Sequence, residues 1–370
     1  MRRLLLIASP ELWSAGHGAD HPLKPERLRR TYELLDEYGA LQAPNVRLAQ
    51  PRPATPDELA LFHTPDYLDA VRRLSAGDPG VDAGGYGFGP GDNPVFPGMD
   101  EVERLKVGGA LVGAEALLRG ECDVAFHFAG GMHHAWRSEA SGFCVYNDPV
   151  VAIEWLRRQG LRVAYVDVDV HHGDGVQFAF YDTDQVLTIS LHQDGRTLFP
   201  GTGAVDEIGR GAGKGFSVNV PLPPYTGDED YLWAFDQVVP PLLARFKPDF
   251  LVTQLGVDTH ALDPLAQLRL TTRGQSTVFQ TLAKLAPSRW LALGGGGYEL
   301  DVVPRAWALA FAAMAGLTLP DELPPHYRDR YGSERLHDPA APWVDETIAE
   351  RVRDRVEDVV GKVKALHGLA

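Results

Sequence analysis

Cysteine is nearly absent. Cys122 and Cys144 are the only two in 370 residues, too few to build a disulfide framework, and this fits a reducing cytoplasm. Long apolar runs are missing as well, since none approaches the roughly 18 residues needed to span a bilayer. Met1-Arg-Arg followed by Leu4 to Ala8 has too short an apolar stretch for a signal peptide, with no small-residue cleavage site after it, so it reads as a first strand. Positive charge is in deficit: a formal net charge of −15 argues against strong attachment to nucleic acid or anionic membrane, which demand a basic surface. A basic partner still fits. Repeats with a period of about 20–50 residues are also missing. What is present, 44% hydrophobic and 23% charged residues, describes a chain able to bury a large core.

The apolar residues gather in strand-length runs at Leu4–Ala8, Val124–Phe128, Val163–Val168, Val186–Leu191, Ser217–Val220, Phe250–Leu255 and Trp290–Leu293. Between them lie helical patterns with recognisable ends: Pro25–Tyr38 before Gly39, Pro65–Leu74 after Thr64, Glu101–Arg119 before Gly120, Pro149–Gln159 before Gly160, and Asp230–Phe246. This alternation predicts a single α/β domain, a mostly parallel sheet covered by helices on both faces. Ser75–Asp100 and His192–Phe216 read as long Gly- and Pro-rich loops, of the kind that carry function or move. We take residues 1–320 as the catalytic body and 321–370 as an extension. Its helix runs from about Val344 to Leu366, and a stripe of Val344, Ile348, Val352, Val356, Val359, Val363 and Leu366 should pack back on the body.

In an open parallel sheet, ligands collect beyond the carboxyl ends of the strands, and the polar clusters fall there. Gly130 to His134 follows one strand, Asp167 to Gly175 another, Gly256 to Asp258 a third, and Gly294 to Tyr298 a fourth. Asp167, Asp169 and His171 are spaced by two, which on a strand puts them on one face. Carboxylates buried together need a cation or protons to neutralise them. With Asp258 as a third protein ligand, Asp169 and His171 suit Zn²⁺ or Fe²⁺ and leave a coordination position open, the mark of a catalytic site. Asp167 and Asp174 are then free to accept hydrogen bonds from His133 and His134, fixing their tautomers and raising their basicity. Gly294–Gly297 lets the backbone turn closely and delivers the Tyr298 phenol to the site, where it can donate to a developing oxyanion. Neither G-x-G-x-x-G nor a Lys-Ser/Thr pair accompanies these glycines, which excludes the common phosphate-cradling loops.

Together these motifs resemble the histone deacetylase family on its class I side, and most closely its bacterial branch of acetoin-utilisation (AcuC-type) proteins. The resemblance covers about Pro22 to Leu317. It is carried by His21 to Arg27, Gly130 to Ala135, Ser138 to Cys144 with Asn147-Asp148, Asp167 to Gly175, Phe199 to Gly203 and Leu293 to Tyr298. It implies an arginase/deacetylase fold with an eight-stranded parallel sheet, one strand more than the apolar runs reveal. It implies metal ligands Asp169, His171 and Asp258, the pairs His133–Asp167 and His134–Asp174 as general acid/base, and Tyr298 polarising the substrate carbonyl. It further implies a tunnel lined by Gly142, Phe143 and Phe199 with Leu265 near its mouth, Asp92 on the rim holding substrate backbone, and Arg27 in an internal acetate channel. Structural potassium is implied at Asp167, Asp169, His171, Ser190 and Leu191, and again at Phe180, Thr183, Val186 and Phe216.

The reading is therefore a zinc-dependent lysine deacetylase, an amide hydrolase acting on acetylated protein, by family analogy on a metabolic enzyme such as acetyl-CoA synthetase. A deacetylase of acetylpolyamines or other small acetyl-amines is the alternative. A binuclear hydrolase of the arginase kind, in which the histidines would hold a second metal, and a binder that has lost catalysis are two more distant readings.

Overall fold

The computed structural model describes residues 1–370. Its strands are β1 (Leu4–Ile7), β2 (Val46–Ala49), β3 (Val124–His127), β4 (Val163–Asp167), β5 (Val186–Gln193), β6 (Ser217–Leu222), β7 (Phe250–Gln254) and β8 (Trp290–Leu293). They form one sheet in the order β2-β1-β3-β8-β7-β4-β5-β6, and every pairing is parallel. All seven strands expected from the apolar runs are there. The eighth, β2, escaped because it is a four-residue edge strand, Val-Arg-Leu-Ala, with its middle two residues exposed; an edge strand needs no apolar run.

The helices are α1 (Glu26–Glu37), α2 (Pro56–Leu59), α3 (Pro65–Ser75), α4 (Met99–Leu118), α5 (Asp148–Arg157), α6 (Asp174–Ala179), α7 (Asp228–Phe246), α8 (Thr272–Leu285), α9 (Val303–Ala315), α10 (Pro325–Tyr331) and α11 (Glu346–His367). They cover both faces, and each face has its own core. Side chains alternate along a strand: Leu4 and Leu6 of β1 join a core with α1, α7, α8, α9 and α11, while Leu5 and Ile7 join another with α3, α4 and α5. Burial of this kind stabilises by about 1.5–3 kcal/mol for each large apolar side chain. Trp290 and Trp307 are fully buried, and each indole N–H has a partner, Thr253 Oγ1 at 3.0 Å and the Leu255 carbonyl at 2.9 Å. These bonds tie β7, β8 and α9 together just beneath the strand ends.

Helix α11 begins at Glu346, two residues after the expected start, because Asp345 caps it by accepting from Thr347 and Ile348. Val352, Val356, Val359 and Val363 are buried with Val360, which the stripe had missed, whereas Ile348 and Leu366 at its ends are exposed. The helix lies on α7 and β6.

Candidate active site

The four strands that end in polar motifs, β3, β8, β7 and β4, are consecutive in the middle of the sheet. Sheet order, not chain order, therefore gathers the Gly130–His134, Gly294–Tyr298, Asp258 and Asp167–Asp174 segments at one end.

Strand β4 stops at Asp167, so Asp169 and His171 do not continue a strand face as expected. They sit on a loop that the aspartates themselves shape. Asp167 Oδ1 accepts from the Asp169 N–H at 3.1 Å and Asp169 Oδ1 from the His171 N–H at 3.0 Å, each carboxylate reaching the amide two residues on, as in Asx turns. Asp169, His171 and Asp258 are buried, with their ligand atoms all within 4.8 Å of one another. Other oxygens of the carboxylates are held by protein as well: Asp169 Oδ2 accepts from Gln254 Nε2 and the Gly296 N–H, and Asp258 Oδ1 from the Val170 N–H. Asp169 Oδ1 and Asp258 Oδ2 each stand 3.1 Å from His171 Nδ1. A Cβ on Gly296 would come within 2.0 Å of Asp258 Oδ2, so only glycine lets the backbone close over this trio. Burial, then the Asp169 charge, pushes the Asp258 carboxyl up to about 8. Two oxygens and one nitrogen converging in a site that resists bare negative charge fit a divalent cation.

His133 Nδ1 lies 2.8 Å from Asp167 Oδ2 and His134 Nδ1 2.7 Å from Asp174 Oδ1, the pairing that the resemblance implied. All four side chains are buried. Tyr165, two residues before Asp167 on the same face of β4, donates its hydroxyl to Asp167 Oδ2 at 2.7 Å. The loop carrying the histidines is held by Asn147 and Asp148: Asn147 Nδ2 donates to the His133 and Ala135 carbonyls, and Asp148 accepts from Gly131 and Met132 amides. Tyr165 and Gln254 were not singled out from the sequence. Their spacing two before Asp167 and four before Asp258 was the available signal.

The Tyr298 ring meets His171 and Phe143 edge-on, at 6.5 and 5.7 Å between centroids. Buried Arg27 donates Nη1 to the Gly295 and Gly297 carbonyls, at 2.6 and 3.2 Å, and lies 5.1 Å from the Trp307 ring centroid. It braces the glycine strap.

Phe143 and Gly142 both adopt positive φ, 69° and 51°. A non-glycine residue there costs about 1–2 kcal/mol, and the Phe143 amide is held by Asn93 Oδ1 at 2.9 Å. Phe199, partly exposed, lies edge-on to His134 at 5.1 Å. The exposed Asp92 is tied to this wall, for its carbonyl lies 3.2 Å from His21 Nε2 and the His21 ring meets Phe143 at 4.5 Å. Leu265 is half-buried, its amide bonded to Asp263. Ser190 pairs with Asp167 across β5 and β4, with Leu191 next to it. Phe180, Thr183, Val186 and Phe216 gather around the other end of β5, where Thr188 donates to the Phe216 carbonyl.

Fold and site define an α/β protein with one Asp-His-Asp ligand group beside two His–Asp pairs. The histone deacetylase domain matches residues 21–314. The chain is 40% identical over 338 residues to the acetoin utilization protein AcuC of Bacillus subtilis, covering 88% of this chain and 86% of that one. It is 38% identical over 336 residues to the histone deacetylase RPD3 of Saccharomyces cerevisiae, covering 90% and 77%. Among solved structures, an HDAC homolog from Aquifex aeolicus superposes with a TM-score of 0.88 at 33% identity, over 98% of this chain and 100% of that one. An HDAC homolog complexed with SAHA gives 0.89 at 34%, over the same shares. The chain belongs to the histone deacetylase family.

Proposed function

We propose that the chain is a metal-dependent deacetylase that hydrolyses N-acetyl-lysine in protein substrates to lysine and acetate. The observation carrying this reading is the convergence of the Asp169-His171-Asp258 group, both His–Asp pairs and Tyr298 at one buried strand-end site. A divalent cation held by that group, zinc or iron(II), would supply Lewis acidity toward a water and the amide carbonyl. His134, kept neutral by burial, takes the water proton and returns it to the leaving amine, with Asp174 holding its tautomer. His133, charged beside Asp167, and the Tyr298 hydroxyl favour the developing oxyanion. Phe143 and Phe199 offer apolar walls to the lysine methylenes, Leu265 and Asp92 stand at the mouth, and backbone oxygens near the two ends of β5 would hold structural potassium, as the resemblance implies.

We place the chain in the cytoplasm on its two buried, unpaired cysteines; no helix is long and apolar enough to cross a membrane. Residues 1–320 serve as the catalytic body, with 321–370 as an extension lying on it. The second reading, a deacetylase of small cationic acetyl-amines, draws support from the exposed Asp92. Parallel turnover on acetyl-lysine peptides and acetylated polyamines, with metal stoichiometry measured on the same zinc-loaded sample, separates the two. Peptide turnover should dominate; equal rates would sink the preference for protein substrates.

A further inference from the structure

Gly294 to Gly297 has no side chain with which to pack, and Gly295 and Gly297 lie at φ of +131° and +127°, a region that other residues rarely adopt. Such a strap does not position Tyr298 by itself; it has to be pinned from outside. Arg27 holds the Gly295 and Gly297 carbonyls, and Asp169 holds the Gly296 amide. The Tyr298 amide itself, the root of the phenol, donates to Asp263 Oδ2 at 2.8 Å.

Asp263 is 6% exposed, and its carboxylate oxygens meet backbone amides rather than a Lys, Arg or His side chain. Its other oxygen, Oδ1, accepts from the Leu265 N–H at 3.0 Å, and its own N–H donates to the His260 carbonyl at 2.9 Å. Burial pushes this carboxyl up to about 6 although both amides pull it down. A buried carboxylate without a counter-ion is costly, and a neutral side chain would be cheaper. Only a carboxylate presents two acceptor oxygens to two amides at once: asparagine offers one, and its amide nitrogen would face the other N–H.

We propose that Asp263 is a positioning residue for Tyr298, fixing the phenol against the Asp258 loop and coupling it to the tunnel mouth at Leu265. This rests on the oxyanion role given to Tyr298 above. Asp263 lies five residues after Asp258, so the loop that ends on a metal ligand also sets where the hydroxyl stands. Loss of that register by about 1 Å is enough to lower turnover by about 10²-fold, without removing any group that touches substrate.

The test is a double-mutant cycle on the zinc-loaded full chain, with kcat and KM for an acetyl-lysine peptide measured for wild type, Asp263→Asn, Tyr298→Phe and the double variant. Asp263→Asn should lower kcat about tenfold or more, change KM less than about twofold and leave zinc content unchanged. In the Tyr298→Phe background, where no hydroxyl remains to be positioned, the same change should cost less than about twofold. Equal losses in both backgrounds, or an unchanged kcat, overturn the inference while the deacetylase reading stands. A wild type without turnover overturns that reading and this inference with it. Amide exchange gives a second measurement that does not depend on how the variants fold: the Tyr298 N–H should be strongly protected in the wild type, and exchange there at an unprotected rate also overturns the inference.

Discussion

The imidazoles of His133 and His134 meet Nε2 to Nε2 at 3.0 Å, and their surroundings drive them apart in charge. Burial disfavours charge on both. Beside Asp167 and Asp169, however, the His133 ring is raised to about 9, while burial and then the His133 charge hold His134 down to about 4. Two rings of one type thus hold different protonation states at neutral pH.

The neutral ring is the one able to take a proton. His134→Ala should lower kcat by about 10²–10⁴, the usual weight of a general base, without loss of zinc from the purified protein. Steady-state turnover with metal content on the same sample checks it, and wild-type kcat in the variant would remove the ring from the mechanism.

Tyr298→Phe deletes one hydroxyl and leaves the ring packing on Phe143 and His171. The expected loss in kcat is about 10²–10³-fold, the weight of a single oxyanion donor, with metal affinity unchanged. Undiminished turnover would deny the phenol its assigned role.

Metal uptake should release protons. Burial and the Asp169 charge raise Asp258 to about 8; His171, although burial opposes it, is raised to about 10 by Asp169 and Asp258. Facing each other, Asp258 and His171 hold at least one proton between them at pH 7 without a cation, and ligation requires its loss. Apparent zinc affinity should therefore climb with pH through neutrality and level off above these values. Titration calorimetry at pH 7 in two buffers of different ionisation enthalpy reads the proton count; zero released protons contradicts the assignment, and Asp258→Asn should weaken binding.

Asp338, in the segment after Pro320, reaches back to the body. Its Oδ2 binds His260 Nε2 at 2.8 Å and the Thr272 N–H at 2.7 Å, and its Oδ1 binds Arg305 Nη1 at 2.9 Å. Burial resists the charge, but these partners, His260 first, hold the carboxyl well below the usual range. A depressed folded value contributes stability above the unfolded pKa of about 4, lost as pH falls toward the folded one. Asp338→Ala should cost about 1–3 kcal/mol at pH 7, and the gap in Tm between variant and wild type should narrow below about pH 4. A gap that does not change with pH would refute the linkage.

Val356 of α11 is 1% exposed, in the core that also holds α7 and the sheet. Val356→Asp places a charge there without a partner and should lower Tm by several degrees or more. An unchanged melt would show that the extension contributes nothing to the body.

The chemistry was legible in the sequence because it is local. The ligand types at Asp167, Asp169 and His171, the paired histidines and the glycine strap before Tyr298 stand in short motifs, and the apolar runs showed seven of eight strands. Edge strand β2 and short helices such as α6 were hidden because neither requires an apolar face of any length. Tertiary structure alone decided the rest. Strand order placed β3, β8, β7 and β4 side by side, which no chain order reveals. The loop after β4 replaced the expected strand face because aspartate side chains captured the backbone amides two residues on. Asp263 gained its place only through a partner far along the chain, the Tyr298 amide. The residue types that do chemistry are written in sequence; the hydrogen bonds that hold them in place belong to the fold, because a buried polar group takes whatever partner the packing brings within reach.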